Sequence, residues 1–145
     1  MNAIVLNTLN GAVTEYTGFS GAITPTHCGD HTGLYALSGD TDAGTPIVAQ
    51  VVTGKQQWGT SLKKYVDIVF FGLKGLGQGR LTVFGETTSN SYNFGIEKGG
   101  ESRSKPGRGI RENYLAFGFS NPDGKDFQLD RIEVNLGSSG TRRTQ

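Results

Sequence analysis

Apolar and polar residues alternate along short stretches of this chain, and nearly every stretch lies between glycines or other turn formers. The pattern predicts strands at Ala3 to Leu6, Ala12 to Tyr16, Leu34 to Leu37, Ile47 to Thr53, Tyr65 to Phe71, Arg80 to Glu86, Ser91 to Glu97, Asn113 to Ser120 and Asp126 to Leu136. Apolar positions at helical spacing are sustained nowhere. Only "TSLKKYVD", Thr60 to Asp67, has an N-cap-like start that a short helix could use, and helix is the weaker reading there. Many short strands at turn spacing predict an all-β, antiparallel β-sandwich or barrel-like sandwich with long glycine-rich loops and little helix. No repeat or linker divides the chain, so residues 1–145 are expected to form a single β-sandwich domain.

The middle of the chain carries the clearest pattern. "YVDIVFF" is apolar on both faces, at Val66, Ile68 and Phe70 and again at Val69 and Phe71, which predicts a central strand covered on both sides. "GLKGLGQGR", Gly72 to Arg80, then reads as a hairpin into "LTVFGE", and "SYNFGIE" completes an expected three-stranded meander. In "DFQLDRIEVNL" Phe127 and Leu129 have one parity and Ile132, Val134 and Leu136 the other. One extra residue near Asp130 and Arg131, a β-bulge, would bring both sets to one face. The preceding "SNPDGKD" predicts a tight hairpin turn between Phe119 and Phe127. "EKGGESRSKPGRGIRE", Glu97 to Glu112, is expected to be one long loop.

Composition narrows the chemistry. Of 145 residues 23 are glycine, with no G-X-Y period, which points to turns and not to collagen. The one cysteine, Cys28, cannot form an intramolecular disulfide, and an intracellular or particle-borne life is the expectation. The start "MNAIVLNTLNG" lacks a basic region and a long apolar run, so no signal peptide is expected. No run approaches the roughly 20 apolar residues of a spanning helix, so no membrane partner is expected either. Fourteen basic residues against 13 acidic ones give a net charge of +1, so nucleic acid is not expected as a partner except through a local basic loop.

Three stretches carry residue types that could support chemistry. "SGDTDAGTP", Ser38 to Pro46, fails as an EF-hand calcium loop at its fifth, sixth and twelfth positions, which hold Gly44, Thr45 and Val51. Its "D-T-D-A-G-T" order also departs from the aspartic-protease turn. A surface turn is expected, with Gly39 and Gly44 at positive φ and Asp40 and Asp42 in Asx-turns that offer carboxylates to a neighbour. "THCGDH", Thr26 to His31, holds zinc-type ligands, but extended chain points neighbours in opposite directions, so a structural loop is expected. "GLKGLGQG" opens no helix and is no phosphate loop. No hydrolase or NTPase motif occurs, so neither enzyme activity nor a cofactor is expected.

The remaining candidates are contact residues. Arg103, Lys105, Arg108 and Arg111 cluster in the long loop, and Arg142 and Arg143 stand near the chain's end. Phosphates reward such clusters, but Glu101 and Glu112 flank them and no aromatic residue stands among them for base stacking. Pairing with an acidic neighbouring subunit explains them at least as well. Trp58, with Tyr35 and Tyr65, is expected to anchor the core or an interface; a sugar-stacking platform is the alternative.

"GRGIRENYLAFGFSNPDGKDFQLDRIEV", Gly107 to Val134, resembles a segment near the C-terminus of tail proteins of tailed bacteriophages. The matching pattern is a "G-R-G-[LI]-R" opening, a strand with Tyr and Phe, and "N-x-D-G-x-D-F-x-L-D-x-I-E", with Arg142 and Arg143 where a closing arginine pair would stand. "GLYALSGDTDAGTPIVAQVVTGK", Gly33 to Lys55, is similar to an earlier segment of the same family. The resemblance implies a virion component assembled in the host cytoplasm: a β-rich, homo-oligomeric ring or adaptor of the tail or its distal end, in contact with other virion tail proteins. A receptor- or glycan-binding module and a capsid decoration protein are the alternatives.

Overall fold

The inward-facing apolar rows of the central strands meet across two antiparallel sheets, as the alternation requires. In the computed structural model, residues 3–16, 21–39, 41–107 and 109–142 are described. The chain divides into two compact units, Met1–Gly39 and Asp40–Gln145.

The first unit contains two ribbons. β1 (Ala3–Leu6) pairs with β2 (Val13–Tyr16), and β3 (His27–Gly29) pairs with β4 (Leu34–Ala36). The turn of the first ribbon is closed by Asn7 and Asn10, whose side-chain oxygens accept the backbone N–H groups of Leu9 and Ala12, each at 2.9 Å.

The second unit opens with a two-residue ribbon, β5 (Thr41–Asp42) against β6 (Thr45–Pro46), and then builds the sandwich. Its strands are β7 (Gln50–Val52), β8 (Leu62–Gly75), β9 (Gln78–Phe84), β10 (Ser89–Gly95), β11 (Glu101–Ser104), β12 (Ala116–Ser120) and β13 (Phe127–Arg142). One sheet has the order β10-β9-β12-β7 and the other β11-β8-β13. Between them lie Val66, Val69, Phe71 and Leu73 of β8, Leu81 and Val83 of β9, and Phe117 and Phe119 of β12, all essentially without solvent contact. Phe71 stacks on Phe94 with centroids 4.8 Å apart, and Phe127 meets Phe119 edge-on at 5.0 Å.

The predicted bulge is present. Leu129 pairs with Leu73 and Arg131 with Gly72, so Asp130 is the extra residue and Phe127, Leu129, Ile132, Val134 and Leu136 all reach the core. A second bulge lies on the partner strand: Leu136 pairs with Val66 and Asn135 with Ile68, leaving Asp67 extra. It explains the two-sided apolar pattern of β8. The inward parity changes from Val66 to Val69, and Ile68 and Phe70 stand half-buried on the outer face. β8 is therefore central in its sheet, but its outer row is not sealed by the second unit. The start read as a possible helix, from Thr60, runs into the same strand.

Three expectations of connectivity are corrected. β8 does not pair with β9, so no three-stranded meander forms; "GLKGLGQGR" carries the chain from one sheet to the other. "SNPDGKD" likewise crosses between sheets, from β12 to β13, and is not a hairpin. Glycine-rich turns between alternating strands serve both geometries, and alternation alone does not say which sheet the next strand joins. The Glu97 to Glu112 loop, finally, contains β11, whose Ser102 and Ser104 point inward at the positions where apolar residues would have marked a strand.

The two crossings are stitched together. Asp123 Oδ2 accepts the N–H of Gln78 at 2.9 Å, directly after the first crossing. Gly77, at φ +88, passes so close that a Cβ there would overlap the Asp123 carboxylate. Asn121, buried, accepts the N–H of Ala49 at 2.6 Å and donates Nδ2 to the carbonyl of Lys125 at 2.8 Å. Each residue of this joint replaces a hydrogen bond that the crossing chain loses when it leaves a sheet.

Candidate interaction surface

The outer face of the β11-β8-β13 sheet is built from alternate residues of the three strands. Register places Arg103 opposite Phe70 and Phe70 opposite Glu133; in the next row Glu101 is opposite Gly72 and Gly72 opposite Arg131. With no side chain on Gly72, Arg131 lies across it and reaches Glu101 at 3.2 Å, while its Nε meets Glu133 at 3.1 Å. All three side chains are more than half exposed, so these ion pairs contribute little to stability. They do fix the pattern of charge. Beside them a groove of about 450 Å³ is lined by Phe70, Gly95, Glu97, Glu101, Ser102 and Arg103.

Arg103 and Lys105 are exposed, and the carboxylates near Arg103 already face Arg131. Arg111 stands 5.9 Å from the centroid of the Tyr65 ring, a cation–π contact at the other end of β8. Among the described residues, Arg103, Lys105 and Arg111 are thus spread along the sheet and do not form one patch. Asp40, Arg108 and Arg143 lie outside the described residues; Arg142 is placed by its backbone, paired with Leu62. Asp42 is exposed on the β5–β6 turn, where Gly39 and Gly44 take φ of +93 and +84, as expected of them. Trp58 is half-buried: its indole N–H donates to the carbonyl of Leu115 at 2.8 Å and its ring meets Phe117 edge-on at 5.4 Å. Its large face serves the core.

The "THCGDH" residues separate as extended chain requires. Cys28 is buried, while His27 is exposed with Nδ1 3.0 Å from Thr26 Oγ1. Asp30 is bonded by the Thr32 hydroxyl and backbone N–H, which holds its carboxyl below the usual range. Among the described residues no three His, Cys, Asp or Glu side chains converge as a metal site would require.

The unforeseen polar site is Lys64, 1 % exposed inside the sandwich. Its ammonium donates to the carbonyls of Thr60, Leu62 and Asn113 at 2.5, 2.8 and 2.9 Å, and burial pushes its pKa below the ordinary 10.5. Asn113 is buried beside it and donates Nδ2 to the Ser61 carbonyl at 2.7 Å. A lysine in a polar stretch, "SLKKY", gives no sequence signal of burial. Its only hint is parity with Val66, two residues on.

No protein-family model matches the chain, and no curated protein matches it.

Proposed function

We propose that this chain is a non-enzymatic structural protein of a tailed-bacteriophage virion, a building block or adaptor of the tail or its distal end. It assembles as a homo-oligomeric ring in the host cytoplasm and contacts other virion tail proteins. The reading rests on the Gly107 to Val134 pattern. What supports it is that the pattern's residues are joints of the fold: Asn121 and Asp123 tie the crossings, Asp130 forms the bulge, and Ile110 and Phe117 lie in the core. A pattern whose polar members are spent on backbone hydrogen bonds specifies a scaffold, and a scaffold acts through the surfaces it holds rigid. The exposed Arg103, Lys105, Asp42 and the groove beside Phe70 are the surfaces on offer.

Imaging of intact particles with an antibody or tag on this chain tests the reading. Density repeating around the tail axis is the expected result. A protein absent from purified particles, or found only on the capsid surface, overturns it.

A further inference from the structure

We infer that the open edge of β13 is a self-pairing surface, on which a second copy of this chain lays its own β13 antiparallel about a two-fold axis at Asn135. The inference deepens the proposed self-assembly and rests on that part of the reading, not on the assignment to a tail.

Each sheet of the sandwich has two edges, and two of the four are blunted by shortness, β7 with three residues and β11 with four, while β10 has seven. β13 has 16. Even interrupted by the bulge at Asp130 and the shift after Ser138, a strand of this length at an edge presents a long row of unpaired N–H and C=O groups, which proteins ordinarily guard with lysine, proline or an inward charge. From Ile132 to Ser139 the chain has none of these, and Glu133 is its one charge. The core is also unfinished on this side. The inward residues of β8 are sealed, whereas Phe127, Leu129, Ile132, Val134 and Leu136 of β13 are all only partly buried. An edge that lacks both hydrogen-bond partners and apolar cover calls for a strand, not for a globular surface.

The choice of a second copy, and of the axis, follows from register. Between the bulge at Asp130 and the shift that follows Ser138, β13 itself inserts no residue, for the shift at Asn135 and Leu136 comes from the extra Asp67 of β8. Asn135 is one of the two central residues of that stretch, Arg131 to Ser138. With the axis there, Asn135 faces itself, Glu133 faces Gly137, Arg131 faces Ser139, and on the inner face Val134 meets Leu136. No like charges are opposed, and the two half-buried apolar rows continue one another. Because such a contact closes on two copies, a ring requires a second, head-to-tail surface in addition.

Cysteine cross-linking of the full chain in a Cys28→Ser background tests this. Directly opposed residues lie about 4.5–5.5 Å apart between Cα atoms, within disulfide reach. Asn135→Cys should therefore oxidise to a covalent dimer. Arg131→Cys alone should not, because its two copies would be roughly 27 Å apart, but mixed with Ser139→Cys it should link. Light scattering of the unsubstituted chain over a concentration series should show association. Association without the Asn135→Cys link, or with Arg131→Cys linking to itself, overturns this interface alone and leaves self-assembly standing. A chain that stays monomeric throughout overturns both. A linked dimer of a protein absent from particles upholds the interface and removes the tail assignment.

Discussion

Lys64 shows how one side chain can be indispensable without any role in a site. Its three N–H groups satisfy three backbone carbonyls where β8 begins and the segment before β12 passes it. Lys64→Met keeps the length and apolar stem but leaves those carbonyls unpaired, at about 1–3 kcal/mol for each that water cannot reach. A net loss on the order of 3 kcal/mol is expected, read as a lower urea midpoint at unchanged m. The pH dependence has a definite sign. Burial lowers the native pKa below 10.5, so between those two values the unfolded chain binds more protons, and the Lys64 contribution to unfolding free energy rises with pH. The native chain should therefore gain on Lys64→Met as pH is raised towards 10.5; a gap that shrinks instead contradicts the burial of the charge.

At the scale of elements, the bulges and the crossings decide the fold. Deleting Asp130 would remove the extra residue and turn either Phe127 and Leu129 or Ile132, Val134 and Leu136 away from the core. Two or three half-buried apolar side chains would then be lost, each worth less than the roughly 1.5–3 kcal/mol of a full burial, and a clearly lowered melting temperature by calorimetry is expected. At the joint, Gly77→Ala requires both φ +88 and space that the Asp123 carboxylate occupies, so it should cost more than the roughly 1 kcal/mol of a merely strained glycine. Asp123→Ala in the same background should recover part of that loss by removing the overlap; additive losses would refute the contact. The β13 bulge was legible because a parity change within one apolar run has only that resolution if the whole run is buried. The β8 bulge was not, since Val66, Ile68 and Phe70 also fit a strand covered on both faces. Sheet membership was not legible at all: the residues that direct β8 away from β9 are Gly77 and Asp123, far apart in sequence, and their meeting is a tertiary fact. Of the contact residues, Arg103 and Lys105 are exposed as expected, although Arg103 is so because it alternates with the inward Ser102 and Ser104 of β11 and not because it lies in a loop, whereas the turning inward of Trp58 depends on the carbonyl of Leu115.

At the scale of the whole molecule, stability is distributed unevenly, and that distribution bears on assembly. β8, β9 and β12 share one sealed core, while β1–β2, β3–β4 and β5–β6 are two-stranded ribbons, a form that is marginal in water unless something covers it. Amide hydrogen exchange should follow this division. The central strands should open only with global unfolding, and the ribbons at much lower free energy. β13 is the informative element, because its amides that face β8 and those that face outward alternate along one strand. In dilute protein the outward set from Ile132 to Ser139 should exchange orders of magnitude faster than the inward set. As concentration drives association, protection should appear in that outward set and little elsewhere in β13, since a strand added at the edge supplies exactly the carbonyls those amides lack. Protection that grows instead around Phe70 and Arg103 would move the first contact to the outer face of the sheet. The edge of β13 would then be guarded by its irregularities and not by a second copy.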